Sequence, residues 1–144
     1  MLKKDTLSHY METYQIKWAN TLPENCPPED ILVPENEDFY RLLINKDEII
    51  EDDWKPYAEL YPDKTYNSDG FIMAHGLSVS KIDNYNELIK KTPSLKDSHN
   101  GIAKVTLNPT DGVLKKTFGD KHYTWWRTTS FDKDSAEIIN NEKD

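Results

Sequence analysis

The sequence contains little cysteine and little glycine, and it has no long apolar run. Cys26 is the single cysteine among 144 residues, so the chain has no internal disulfide, which favours a reducing, cytoplasmic setting. The five glycines form no phosphate-binding loop of the Walker or Rossmann kind. No segment approaches the roughly 20 apolar residues that span a bilayer, and residues 1–5 do not begin a signal peptide. We therefore expect a cytoplasmic protein without a membrane segment.

Arginine is also scarce, because only two of the eighteen basic residues are arginine. Arg41 lies in Phe-Tyr-Arg-Leu-Leu-Ile, and Arg127 ends His-Tyr-Thr-Trp-Trp-Arg, so both are expected on strands that are partly buried. A guanidinium binds carboxylate or phosphate at two points. Arg41 is therefore interpreted either as an anion-binding residue or as one half of a structural ion pair.

Acidic residues are abundant, and the net charge of −8 is unevenly spread. Residues 24–63 hold thirteen acids and three bases, whereas residues 64–128 hold ten bases and six acids. The overall charge argues against non-specific DNA binding, because that binding depends on neutralising phosphates. The acidic segment is either a solvated surface or a face that docks a basic partner.

The docking alternative names particular residues within the acidic segment. Glu51, Asp52 and Asp53 are predicted to contact a basic partner, and Trp54 would supply an aromatic anchor beside them. A protein of this kind would be a non-catalytic immunity protein, antitoxin or adaptor.

Hydrophobic periodicity predicts one α+β domain over residues 1–144, with a mixed or antiparallel sheet. Helices are expected within residues 1–22, with Thr6 as the N-cap, irregularly over 46–62, and after Asp83 up to Pro93. Strands are expected at about 38–44, 71–80, 101–107, 113–118 and 122–128. The tail at 130–144 is expected to be partly frayed.

Two of these strands carry polar side chains that suggest a ligand site. Ser78 and Ser80 share one face of their strand and would orient a sugar hydroxyl or phosphate, or else simply face solvent. His122, Thr124 and Trp126 share one face of the last strand. His122 and Thr124 are predicted to contact a flat ring or ribose, the alternative being an aromatic core strand.

The histidines permit acid–base chemistry but indicate no metal site. Four histidines and one cysteine show no zinc-type spacing, so no metal is predicted. His75 and His122 are a conceivable acid and base for a ribonuclease mechanism, with Arg41 on the phosphate.

Four short motifs between residues 23 and 128 resemble those of a family of small uncharacterised bacterial proteins. They are Cys-Pro-Pro at 26–28, Tyr-Arg-Leu at 40–42, Gly-Leu-Ser-Val at 76–79 and His-Tyr-Thr-Trp-Trp at 122–126. Their spacing also resembles the ADP-ribosyltransferase-like fold, in which such strands surround NAD. A third strand commonly brings a glutamate in that fold, and residues 122–127 contain none.

The leading hypothesis is a small cytoplasmic domain that binds an anionic, nucleotide-like ligand, for which the resemblance suggests NAD or another nucleotide. Arg41 would bind phosphate, Ser78 and Ser80 would orient the ligand, and His122 and Thr124 would contact its ring or ribose. The residues themselves indicate no cofactor and leave open whether the protein is an enzyme.

Overall fold

The computed structural model describes residues 1–139 and shows an α+β fold with one eight-stranded antiparallel sheet. The strands are β1 (Lys3–Thr6), β2 (Asp30–Val33), β3 (Glu37–Leu43), β4 (Leu77–Ser80), β5 (Gly101–Leu107), β6 (Gly112–Lys116), β7 (His122–Arg127) and β8 (Glu137–Ile139). The helices are α1 (Leu7–Thr13), α2 (Tyr57–Leu60), α3 (Ser68–Met73) and α4 (Tyr85–Lys91). Four 3-10 turns lie at Glu51–Trp54, Pro93–Leu95, Pro109–Asp111 and Lys133–Ser135. In the described residues, no helix is long and apolar enough to cross a membrane.

The strand order is β1-β2-β6-β7-β4-β3-β5-β8, so the three strands predicted to carry the site, β3, β4 and β7, are neighbours near the middle of the sheet. Arg41 is on β3 and His122 is on β7, with β4 between them. The prediction that both residues come from strands of one sheet is therefore confirmed.

The two faces of the sheet are packed differently. One face is covered by the largest apolar cluster, which contains Phe39, Leu77, Val79, Tyr123 and Trp125. The other face carries two separate clusters, one around Tyr10 and Trp126 and one around Leu42, Leu88 and Ile102. This arrangement leaves a region of the second face, between the two clusters, in which the sheet presents polar side chains.

Strand pairing places those polar side chains next to each other. Ser80 pairs with His122 and Ser78 with Thr124 across the β4–β7 ladder. Directly opposed residues of an antiparallel pair point to the same face, so these four side chains share one surface. The face assignments predicted for β4 and β7 are therefore confirmed.

The contact between β3 and β4 is much shorter than the other central ladders. Tyr40 and Ser80 form its single pair, whereas β3 pairs with β5 over its whole length from Glu37 to Leu43. Backbone donors and acceptors beyond that pair need partners other than the neighbouring strand. The opening between β3 and β4 is the feature that positions the site.

The N-terminal segment differs from the prediction of one long helix. Residues 3–6 form β1, and α1 ends at Thr13 because Tyr14 takes extended angles of φ −118° and ψ 131°. Trp18 instead makes a β-bridge to Thr128. Thr6 is the N-cap, as expected, and accepts a 3.1 Å hydrogen bond from the His9 amide.

Three further segments also depart from the predictions. The helix expected over 46–62 is a 3-10 turn followed by the single turn α2. The first half of the strand expected at 71–80 is helix α3, because Asn67 caps it by accepting a 2.7 Å hydrogen bond from the Gly70 amide. The tail contributes β8, which pairs with β5, and the rest of the predicted frayed tail, residues 140–144, lies outside the described residues.

Two glycines with positive φ allow backbone strain to be separated from steric overlap. Gly112 has φ 133°, and a Cβ there would overlap the Trp126 carbonyl oxygen, whereas Gly119 has φ 112° with open space around it. We expect Gly119→Ala to cost about 1–3 kcal/mol of strain. Gly112→Ala should lower the free energy of unfolding by a further ~1–3 kcal/mol through overpacking. Urea denaturation measures both, and equal losses would contradict the packing described at β6 and β7.

Candidate functional site

A cavity of about 440 Å³ lies at the polar region of the sheet and extends to the 51–61 segment. This volume falls within the ~300–1,000 Å³ range of small-molecule sites. Four of the five predicted ligand-binding residues line it, namely Arg41, Ser78, Ser80 and His122. Thr124 is not part of the lining.

Arg41 occupies the opening between β3 and β4. One terminal nitrogen donates to the Ser78 carbonyl at 2.7 Å, and the other donates to the Asp53 carbonyl at 2.7 Å. If the β3–β4 ladder continued past Tyr40, a backbone amide of β3 would donate to the Ser78 carbonyl. The Arg41 guanidinium makes that hydrogen bond instead. The side chain therefore joins the sheet to the 51–54 turn across the opening.

The two arginines hold consecutive carbonyls of the same turn. Arg41 donates to Asp53, and Arg127 donates to the Trp54 carbonyl at 3.5 Å with its guanidinium carbon 5.8 Å from the Trp54 ring centroid. A cation is favourable at this point because the carbonyls at the end of a helical turn carry partial negative charge. No ion pair of either arginine occurs in residues 1–139, so the ion-pair interpretation of Arg41 is wrong.

Arg41 remains a cation at neutral pH although its surroundings oppose the charge. Burial lowers the pKa of Arg41 to about 10, while the negative charge of the Asp53 carboxylate acts in the opposite direction. Its Nε is buried without a hydrogen-bond partner, as is that of Arg127. Arg41 lines the cavity, so its charge acts on whatever the cavity contains.

The three predicted hydroxyl residues have different environments. Ser78 is exposed, whereas Ser80 is buried and its Oγ accepts a 3.0 Å hydrogen bond from the Ile82 amide. Thr124 is 3% exposed, and its Oγ1 lies 3.0 Å from the Oγ1 of Thr117. The Ser78 hydroxyl is therefore accessible for direct contact with a ligand. Thr124 is not placed for the ligand contact predicted for it, because its hydroxyl is buried and the residue does not line the cavity.

His122 is partly buried at the cavity wall. Its Nδ1 lies 3.1 Å from the Thr117 carbonyl and 2.9 Å from the Thr117 hydroxyl. Burial lowers the pKa of His122, the hydrogen bond to the Thr117 backbone raises it, and the charge of Arg41 lowers it. The ring is therefore held in one orientation and is neutral at pH 7.

His99 is a cavity residue that the sequence did not reveal. It follows the 3-10 turn Pro93–Leu95, and its Nδ1 lies 2.8 Å from the Ser98 hydroxyl. Burial and then the charge of Arg41 lower the pKa of His99, and the Asp53 carboxylate acts in the opposite direction. His75, the partner predicted for His122, does not line the cavity and instead bonds the Phe71 carbonyl at 2.8 Å.

Aromatic rings with unusual exposure also line the cavity. Phe118 is 75% exposed and has φ 54°, a backbone conformation that is rare for a bulky residue. Its ring meets the His122 ring edge-on at 5.3 Å between centroids. Tyr57 and Tyr61 are exposed and lie 6.0 Å apart, also between centroids. Such strained or exposed groups often mark ligand sites.

The predicted partner-binding residues do not form one accessible surface. Asp53 is 2% exposed and Trp54 is 4% exposed, so neither offers the contact expected of it. Asp53 is buried because its carboxylate accepts hydrogen bonds from the backbone amides of Ile44 and Ile50, and Trp54 packs in the main core cluster. Glu51 and Asp52 are exposed, and their partner contact remains a prediction.

No three His, Cys, Asp or Glu side chains within residues 1–139 are grouped so that they could hold a metal ion.

Comparison of the chain with protein-family models, with curated proteins and with solved structures gave no match.

Neighbouring carboxylates in the 51–54 turn give a matched test of this arrangement. Asp53→Ala would leave the partly buried amides of Ile44 and Ile50 without an acceptor, so we expect a loss of about 2 kcal/mol in the free energy of unfolding. Asp52→Ala removes only an exposed ion pair with Lys55 and should change the free energy of unfolding by less than about 0.5 kcal/mol. Chemical denaturation of both variants compares them, and similar losses would count against the role given to Asp53.

Proposed function

We propose that the cavity binds an anionic, nucleotide-like ligand with its phosphate at Arg41. The observation that carries this proposal is the free hydrogen-bonding capacity of that guanidinium. Each terminal nitrogen uses one N–H on a carbonyl, which leaves one N–H on each without a partner in the described residues. Two such donors on a planar cation match two oxygens of a phosphate.

The rest of the lining fits the other parts of a nucleotide. Phe118, Tyr57 and Tyr61 offer exposed rings against which a base can stack. The Ser78 side chain is exposed at the cavity and can hydrogen-bond a ribose hydroxyl. This combination of the Arg41 and Lys55 cations, hydroxyls and aromatic rings favours a nucleotide over a simple inorganic anion.

Among nucleotides, the resemblance to the ADP-ribosyltransferase-like fold supports NAD. Strand β7 has no glutamate, however, and the described lining supplies none in its place. The proposal is therefore limited to binding, with NAD, ADP and AMP as the ligands to test first.

Arg41→Lys tests the proposal, because lysine keeps the charge but loses the planar pair of donors. We expect the dissociation constant for ADP, measured by calorimetry, to rise about 10–100-fold, since hydrogen bonds to charged groups contribute roughly 1.5–3 kcal/mol. The unaltered protein should gain ~2.7 kcal/mol of stability at 100 times the dissociation constant.

Arg127→Lys is the matched control for that experiment. Arg127 also donates to a carbonyl of the 51–54 turn, but it does not line the cavity. The Arg127→Lys substitution should therefore reduce thermal stability while leaving the affinity for ADP unchanged. Equal affinity in the Arg41→Lys protein, or no nucleotide binding by the unaltered protein, would refute the proposal.

A further inference from the structure

We propose that His99 and His122 act as an acid–base pair that cleaves a ribonucleotide phosphodiester held at Arg41. This inference rests on the proposed nucleotide site and adds a reaction to it. All three residues line the same cavity of about 440 Å³, although they come from β3, β7 and the segment before β5. The charge of Arg41 acts on both imidazoles, so the three groups lie within electrostatic reach of one another.

The hydrogen bonds of His122 determine which of its nitrogens is basic. A backbone carbonyl can only accept, so Nδ1 must carry the proton that bonds the Thr117 oxygen at 3.1 Å. In the neutral ring, Nε2 then carries the lone pair. Nε2 has no protein partner in the described residues, so it is available to a ligand.

His99 has the same tautomer for a different reason. The Ser98 hydroxyl lies 3.3 Å from the Leu95 carbonyl and donates its proton there. With that proton donated to the Leu95 carbonyl, the Ser98 oxygen accepts from Nδ1 of His99 at 2.8 Å, and the lone pair of His99 is then on Nε2. The His99 backbone is fixed as well, because its carbonyl accepts a 2.6 Å hydrogen bond from the Tyr85 hydroxyl.

The electrostatics of the cavity lining favour two neutral imidazoles. Burial and Arg41 lower the pKa of each imidazole, opposed by the Asp53 carboxylate at His99 and by the Thr117 hydrogen bond at His122. A bound phosphodiester brings a negative charge that offsets the charge of Arg41. Protonation of one imidazole then becomes easier, which gives one acid and one base together.

A ribonucleotide diester supplies its own nucleophile, so no further reactant is needed. One imidazole Nε2 removes the proton of the 2′-hydroxyl, whose oxygen forms a bond to phosphorus. The bond from phosphorus to the 5′-oxygen breaks, and the other imidazole gives its proton to that leaving oxygen. The products are a 2′,3′-cyclic phosphate and a 5′-hydroxyl. Arg41 stabilises the additional negative charge on the non-bridging oxygens.

The experiment uses the full chain with the ribodinucleotide ApA and with its 2′-deoxy analogue. Chromatography should show adenosine and the cyclic phosphate released from ApA, and no product from the deoxy analogue, which lacks the nucleophile. The plot of kcat/KM against pH should be bell-shaped with both limbs below pH ~6.5, because it reports the free protein's two lowered pKa values.

Three histidine variants separate catalysis from folding. His99→Gln and His122→Gln should each lower kcat by ~10²–10⁴-fold, whereas His75→Gln, outside the cavity, should leave it unchanged. Binding of the uncleavable deoxy analogue checks that each variant keeps the site, and His99→Asn and His122→Asn replace any variant that fails to fold.

The outcomes distinguish this inference from the proposed function. Nucleotide binding without cleavage of ApA would overturn the inference and leave the binding proposal standing. Cleavage that survives in the His99→Gln, His122→Gln double variant would also overturn it. Absence of both binding and cleavage would refute both proposals.

Discussion

The Arg41 guanidinium is the contact on which the site depends. It sits where the β3–β4 ladder stops and donates to the carbonyls of Ser78 and Asp53, both at 2.7 Å. The sheet therefore stays open at this point while both carbonyls keep a hydrogen-bond donor. Arg127 holds the next carbonyl of the same turn, at Trp54, so both arginines of the chain fix one segment against the sheet.

The separation of the apolar clusters explains why a cavity can exist beside that contact. On the second face of the sheet, one cluster forms around Trp126 and another around Leu42. Between them β4 and β7 present Ser78 and His122, which do not close the gap by apolar packing. Tyr57 of the 51–61 segment also lines the cavity. The side chains of Ser78 and His122 therefore stay accessible from the cavity, where a ligand can contact them.

Sequence periodicity predicts β3, β5, β6, β7 and the second half of the 71–80 strand, and it misses β1, β2 and β8. Strand β5 alternates apolar and polar residues, and β7 is rich in aromatic residues, because both strands are buried in the sheet. Burial also makes β3 recognisable, so the sequence predicts the strand positions of Arg41 and His122. Strand β1 is Lys-Lys-Asp-Thr at the edge of the sheet, where nothing requires apolar residues. The apolar run after Gly70 was ambiguous because a short run suits helix or strand equally. His99 lies in a polar turn segment, and only tertiary packing brings it to the cavity, so no local signal could reveal it.

The scarcity of arginine makes the central claim open to direct measurement. A chain with two arginines gives two Nε–H signals in a ¹H–¹⁵N NMR spectrum, and Arg41→Lys identifies which signal belongs to Arg41. If a phosphate group binds at the free N–H groups of Arg41, titration with ADP should move the Arg41 signal and leave the Arg127 signal in place. Movement of neither signal at saturating ADP, or equal movement of both, would contradict the claim that Arg41 forms the anion site.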